Sequence, residues 1–276
     1  MTTDRITLDC KCELGEGLFV SEGLVAWVDI VRMKIYTYCD RELRVCGLPV
    51  QATVILERLN DSFLLGSDNG FGRFDLGSGQ YSSLQDHAVV FRSNTHRTND
   101  GCRLRRGGYL IGTMHRVAPA DNPGAVYFVG PDGGVSELDV TIHIPNTFVE
   151  LDDGAVLVSD SSLGVIYRYR FSRSTELIEK TAWYEVEEGM APDGGCRLPN
   201  GNIAIAMWDA GCIRVFDQLG QVICDLAVAA KRPTNCKFDV RNQVLWITSA
   251  MEGLDALDLQ RYPNSGKTFC MPVALK

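Results

Sequence analysis

No stretch of this 276-residue chain is apolar for long enough to cross a bilayer. The opening Met1-Thr2-Thr3-Asp4-Arg5 lacks the apolar core of a signal peptide. Both absences predict a cytoplasmic protein with no membrane partner. An excess of positive charge is also missing: 27 Lys and Arg stand against 35 Asp and Glu, a net charge of −8. That balance argues against a nucleic-acid backbone or an anionic membrane as partner, and leaves a small ligand or a cation. Helical periodicity is scarce. The best window, around Leu177 to Glu188, shows no clear apolar stripe. Cysteine, by contrast, is plentiful at ten. A cytosol keeps thiols reduced, and most of the ten have apolar neighbours and read as small buried residues. Cys10-Lys11-Cys12 has no second pair at zinc-site spacing.

What the chain does contain is strands. Leu24 to Ile30 is a short apolar run between turn residues, while Lys34–Tyr38, Val165–Arg170 and Cys212–Asp217 alternate. Gly, Asn and Asp clusters separate them as hairpins require. The runs recur in register. Glu16 is followed about eleven residues on by Trp27, Asn99 by Leu110, Asn146 by Leu157, Asp193 by Ala204 and Asn235 by Trp246. A weaker copy places Ala52 or Thr53 ahead of Phe63 to Gly66. Each copy continues through a turn, such as Ser67 to Gly70, Asp160 to Gly164 or Trp208 to Gly211, into a second alternating strand. Six units of about 45 residues, with room for four short strands each, predict an all-β, six-bladed β-propeller. Ile6–Cys10 is expected to pair with Thr268–Val273 and close the last blade, removing an exposed edge. No linker or change of composition divides the chain, so 1–276 reads as a single domain.

Repeat position points to a site. Glu16, Asn99, Asn146, Asp193 and Asn235 all sit ahead of an apolar run, with Asp193 in what reads as the tight turn Ala191 to Gly195. Equivalent positions of a propeller ring one axis, so two carboxylates and several amide oxygens are expected at one mouth of its channel. Each residue taken singly is an ordinary turn former, but Glu16 is not. Hard oxygen donors suit one divalent cation: Ca, Mg or Mn, with Zn or Fe also admitted.

Glu13-Leu14-Gly15-Glu16-Gly17 followed by Ala26 to Ile30 resembles the start of the gluconolactonase/regucalcin (senescence marker protein) family. Arg97 to Gly101 with Gly112-Thr113-Met114, then Ile144-Pro145-Asn146, Ser159-Asp160-Ser161, Ala191 to Gly194 and Trp246 to Ala250 resemble its further motifs in order. The resemblance implies a six-bladed propeller that binds one divalent metal and opens sugar lactones. It implies Glu16, Asn146 and Asp193 as metal ligands, and Arg97 and Asn99 as holders of substrate oxygens. It also implies metal-assisted ester hydrolysis with Asp193 as general base.

The chain departs from the family's pattern at Leu18, where proline is common, at Thr147, where glycine is usual, and at Gly195, where methionine is common. It departs again at His115 and Arg116. These positions are expected to line or support the pocket and to set substrate preference. His115 reads either as a loop histidine bonded to backbone or as a side chain facing substrate. His87, His96 and His143 read as structural or solvated, with His96 a weaker candidate beside Arg97. Trp208 and Trp246 read as core. The leading expectation is a metal-dependent lactonase acting on a small sugar lactone (an aldonolactone). The alternatives are a non-catalytic calcium-binding propeller and a metal-dependent hydrolase of other esters or phosphotriesters.

Overall fold

The structure is a computed structural model that describes residues 6–86 and 91–273; His87 lies outside them. A short strand β1 (Ile6–Leu8) precedes six runs of strands. The first blade is β2 (Gly15–Ser21), β3 (Leu24–Asp29), β4 (Lys34–Cys39) and β5 (Glu42–Gly47). The second is β6 (Ala52–Leu59), β7 (Ser62–Ser67), β8 (Gly70–Asp75) and β9 (Tyr81–Asp86). The third is β10 (His96–Arg103), β11 (Tyr109–His115), β12 (Ala125–Val129) and β13 (Val135–Asp139). The fourth is β14 (Pro145–Glu150), β15 (Val156–Asp160), β16 (Val165–Phe171) and β17 (Leu177–Glu185). The fifth is β18 (Ala191–Arg197), β19 (Ile203–Trp208), β20 (Cys212–Phe216) and β21 (Val222–Ala227). The sixth begins with β22 (Arg232–Asp239) and β23 (Val244–Ala250), passes the short helix α1 (Ala256–Arg261) and ends with β24 (Thr268–Pro272).

Each run is a four-stranded antiparallel sheet paired in chain order, the plan of a six-bladed β-propeller. β1 supplies the fourth strand of the last sheet, with Ile6, Thr7 and Leu8 opposite Cys270, Phe269 and Thr268, as expected from sequence. The segment from Leu177, which carried the best helical pattern, is strand β17. α1 is the one helix among the described residues, and no helix there is long and apolar enough to cross a membrane.

The sheets gather into two compact units, Met1–Gly47 with Gly189–Lys276, and Leu48–Glu188. In each, burial falls from the second strand outward. β3, β7, β15 and β23 are buried at every residue. β5 and β21 are exposed along most of their length. Apolar clusters fill the space between successive blades. Leu18, Trp27, Tyr36 and Trp246 form one in the first unit, and Leu110, Val126, Phe148, Val156 and Tyr169 one in the second. Trp246 is therefore core, as read from sequence. Trp208 is only half-buried, with the Arg232 guanidinium 4.8 Å from its ring centroid.

An aspartate at the end of the second strand fastens the chain entering several blades. Asp160 is fully buried. Its carboxylate accepts from the backbone N–H of His143 (2.8 Å), Ile144 (3.3 Å) and Ser162 (3.0 Å). Asp29 accepts likewise from Glu13 (2.8 Å), Leu14 (3.3 Å) and Arg32 (3.1 Å). Asp68 accepts from Gln51 at 3.2 Å. These latches hold the backbone two or three residues ahead of Asn146, Glu16 and Thr53 respectively.

All ten cysteines are free thiols. Cys12, Cys212, Cys236 and Cys270 are buried; the other six reach solvent to some degree, so the reading of most cysteines as buried holds for fewer than expected. The Cys10 thiol, hydrogen-bonded by the Cys12 thiol and by Thr268, is pulled down to about 7, while that contact and burial push Cys12 up.

Asp160→Ala leaves four backbone donors, Leu163 N–H (3.4 Å) being the fourth, without their charged acceptor and is expected to lower unfolding free energy by about 3 kcal/mol in urea melts, with Asp160→Asn losing less. Iodoacetamide should modify Cys10 before Cys12, at a rate that climbs as pH rises through about 7 and then levels, because the reactive thiolate fills in over that range. Peptide mapping of a timed alkylation series checks this.

Candidate functional site

The residues singled out by repeat position lie on the first strand of each blade, not in a turn ahead of it. Every first strand carries an extra residue against its partner where the candidates stand, and β6 carries a second between Ile55 and Glu57. The shifts lie between Glu16 and Phe19, Ala52 and Val54, and Thr98 and Gly101. They recur between Asn146 and Val149, Pro192 and Gly195, and Pro233 and Asn235. A β-bulge re-aims the side chains around it. Asp193 therefore sits inside β18 at 6% exposure, a correction to the tight turn expected there. The physical reason is shared chemistry: a bulge needs the same permissive backbone as a turn. Gly17 takes φ +58° directly after Glu16, and Thr147 takes φ +79° directly after Asn146.

In the unit of blades two to four, first strands β6, β10 and β14 lie side by side. Here Arg97, Asn99 and Asn146 come together. Arg97 Nη1 donates to Asn99 Oδ1 at 2.8 Å and to the Thr98 carbonyl at 2.9 Å. Asn99 Nδ2 donates to Asn146 Oδ1 at 2.9 Å and to the Pro145 carbonyl at 3.1 Å. Asn146 Nδ2 donates to Ser161 Oγ at 2.9 Å. Thr53 and Thr98, from neighbouring blades, share a buried hydroxyl contact of 2.8 Å.

The histidines are mostly occupied by structure. His115 Nδ1 accepts from the Ala118 N–H at 3.1 Å, which leaves the proton of the neutral ring on Nε2. His96 contacts Thr95 Oγ1 and the Pro123 carbonyl and meets His115 edge to face at 5.1 Å. Burial lowers its pKa. His143 leans on Asp160 at 3.1 Å.

In the unit of blades five, six and one, β18, β22 and β2 lie side by side. Glu16 is buried at 8% exposure, and its Oε2 accepts from Gly17 N–H at 3.0 Å and from Asn235 Nδ2 at 3.4 Å. The residue after Asp193 must be glycine: a Cβ on Gly194 would fall 2.2 Å from Asn235 Nδ2. Asn235 Oδ1 is buried with no hydrogen-bond partner among the described residues. Lys237 Nζ donates to the Gly195 carbonyl at 2.6 Å.

These donors fit a hard cation better than a soft one. Among the described residues no three His, Cys, Asp or Glu side chains are placed to hold a metal. A bound ion would therefore use carboxylates supplemented by amide oxygens, the mixture that suits oxygen-seeking divalent cations. An orphaned buried amide oxygen beside a buried carboxylate is the polar surface such an ion would satisfy. The roles of Ser161 and Gly194 escaped sequence reasoning. Both sit in stretches whose small residues read simply as turn.

The sequence profile of the SMP-30/Gluconolactonase/LRE-like region matches residues 14–251. The chain belongs to this family. A family relative from Rhizobium meliloti (strain 1021), which carries a provisional sugar lactone lactonase name, is 30% identical over 99% of this chain and 94% of its own length. Regucalcin of Danio rerio is 26% identical over 94% of this chain and 90% of its own. Among solved structures, the calcium-binding protein regucalcin of Agrobacterium tumefaciens str. C58 superposes with a TM-score of 0.88 at 24% identity, covering 97% of this chain and 93% of that one. At that identity the likeness supports the propeller fold. In this family member Thr147 holds a left-handed backbone that its branched side chain opposes. Thr147→Gly is expected to stay within about 1 kcal/mol of wild-type stability in urea unfolding, because relief of strain offsets the lost contacts. A loss well above that would show the bulge to be unstrained.

Proposed function

We propose that the protein is a divalent-metal-dependent lactonase that opens a sugar-acid lactone to the free acid. Glu16, Asn146 and Asp193 hold the metal, Arg97 and Asn99 face substrate oxygens, and Asp193 is the general base. One observation carries the reading: two acidic side chains, Glu16 and Asp193, are more than nine-tenths buried at the bulges of first strands in a member of a gluconolactonase family. Buried carboxylates are held where they are paired or coordinate a cation. The lactonase name of the Rhizobium meliloti relative supports the substrate class.

When bound, the metal supplies Lewis-acid polarisation of the lactone carbonyl. The chain does the rest. One Asp193 oxygen is a ligand; the other accepts a proton from water as the water oxygen bonds to the acyl carbon. The ring C–O bond then breaks, and the leaving alkoxide recovers that proton from Asp193. Arg97 contributes a fixed positive charge with planar donors for substrate oxygens. Burial around Asp193 strengthens these interactions by excluding water.

A second reading, a non-catalytic calcium-binding propeller, is favoured by the calcium-binding description of the Agrobacterium tumefaciens regucalcin. The two part on one assay. Acid release from a panel of aldonolactones should need the metal and vanish on chelation, and Asp193→Asn should reduce it by at least about 10²-fold while the protein stays folded. Full activity in chelator, or in the variant, overturns the mechanism. Tight calcium binding with no turnover of any lactone favours the second reading.

A further inference from the structure

An asparagine offers a metal two ends of nearly equal shape and opposite polarity. Its oxygen is a ligand; its NH₂ is not. Something must decide which end Asn146 presents, and the contacts around it form a one-way series. Arg97 can only donate, so Asn99 turns its Oδ1 to Arg97 Nη1 at 2.8 Å. The Pro145 carbonyl can only accept, and it takes one Asn99 Nδ2 proton at 3.1 Å. Both contacts fix Asn99 in the same sense. Its second Nδ2 proton must then meet an acceptor, and it meets Asn146 Oδ1 at 2.9 Å. Asn146 in turn places its Nδ2 on Ser161 Oγ at 2.9 Å. The Asn99 contact uses one of the two lone pairs of Asn146 Oδ1.

The same contacts restrict what Asn99 can do for a substrate. Both of its N–H bonds are committed, to Pro145 and to Asn146. In this arrangement it has no donor left for a substrate carbonyl or ring oxygen.

We infer that Asn99, oriented by Arg97 and the Pro145 carbonyl, is a positioning residue that makes Asn146 present its oxygen, with Ser161 receiving the opposite end of the amide. The inference rests on the reading of Asn146 as a metal ligand. It leaves the second lone pair of Asn99 Oδ1 for a substrate hydroxyl and adds the task of orienting a ligand.

The test is a titration of Mn²⁺ alone into the metal-stripped protein, followed by loss of the free-ion electron paramagnetic resonance signal. Asn99→Leu keeps the bulk and removes the donor; it should weaken Mn²⁺ binding about tenfold, the usual scale for loss of a group that orients a ligand. Ser161→Ala should weaken it by at least about threefold, a smaller loss of the same kind. In the Asn146→Asp background both oxygens are alike and there is no end to choose, so adding Asn99→Leu should change affinity by less than about twofold. A purely structural role for Asn99 would cost as much in that background as in the wild type. A role in substrate contact alone would raise KM and leave Mn²⁺ affinity unchanged. Wild-type affinity in either folded single variant, or an undiminished effect in the Asn146→Asp background, overturns the inference. Absence of saturable Mn²⁺ binding by the wild-type protein overturns the metal reading, and this inference with it.

Discussion

One extra residue in the first strand of each blade is the constraint on which the site depends. A regular strand points successive side chains to opposite faces, and the inner strands β3, β15 and β23 are buried on both. A polar residue there would be driven into apolar packing. The bulge breaks the alternation for one residue and lets Glu16, Asn146 and Asp193 be buried without joining the clusters around Trp27 or Val156. The second strand beside it is buried along its whole length in blades one, four and six, its polar residues Asp29, Ser159, Asp160, Thr248 and Ser249 included.

A bulge interrupts a ladder, so its ends need holding from elsewhere. The latch aspartates do this at the entrance of blades one, two and four. Asp29 and Asp160 are themselves fully buried charges, stabilised by several backbone N–H groups apiece. Their placement fixes the approach to Glu16 and Asn146 to within a few residues. Two sets of buried carboxylates thus serve different ends. One set is saturated by backbone donors and rigid. The other sits at the bulge, where the one buried amide oxygen nearby, Asn235 Oδ1, has no partner among the described residues.

Much of this was legible from the residues alone. The offset shared by Glu16, Asn99, Asn146, Asp193 and Asn235 gave all five equivalent repeat positions, and the pairing expected of Ile6–Cys10 with Thr268–Val273 followed from edge protection. The turn assigned to Asp193 was not legible as a bulge, because Asx-Gly dipeptides answer both needs for the same conformational reason. Leu177 to Glu185 is an outer strand broken by two bulges, which pass over Trp183 and Ile178, so its pattern suited neither period well. α1 buries none of its residues, which removes the apolar stripe that would have announced it. Hydrogen-bond direction was wholly hidden. Nothing in Asn99 or Ser161 as letters says which end of an amide faces which neighbour; that emerges only when Arg97 and the Pro145 carbonyl stand on either side.

Direction also bears on the positions where the chain departs from its family. His115 and Arg116 read from sequence as residues that line or support the pocket. Arg116 supports. Its Nε donates to the carbonyls of Ser93 (3.1 Å) and His96 (3.0 Å), and its Nη atoms reach Gln51 Oε1 (3.1 Å) and Asp68 Oδ2 (3.4 Å). A guanidinium held at four points is a brace between blades two and three, and Asp68 is at the same time the latch on Gln51. His115 keeps Nδ1 on the Ala118 N–H, so in its neutral form the ring edge it can turn outward is a donor, Nε2–H, and not a base. On the proposed reading, with both Asn99 N–H bonds committed, the donor that would meet a substrate oxygen in this unit comes from Arg97. Arg116, bonded to the carbonyls of Ser93 and His96, holds the backbone that leads into Arg97.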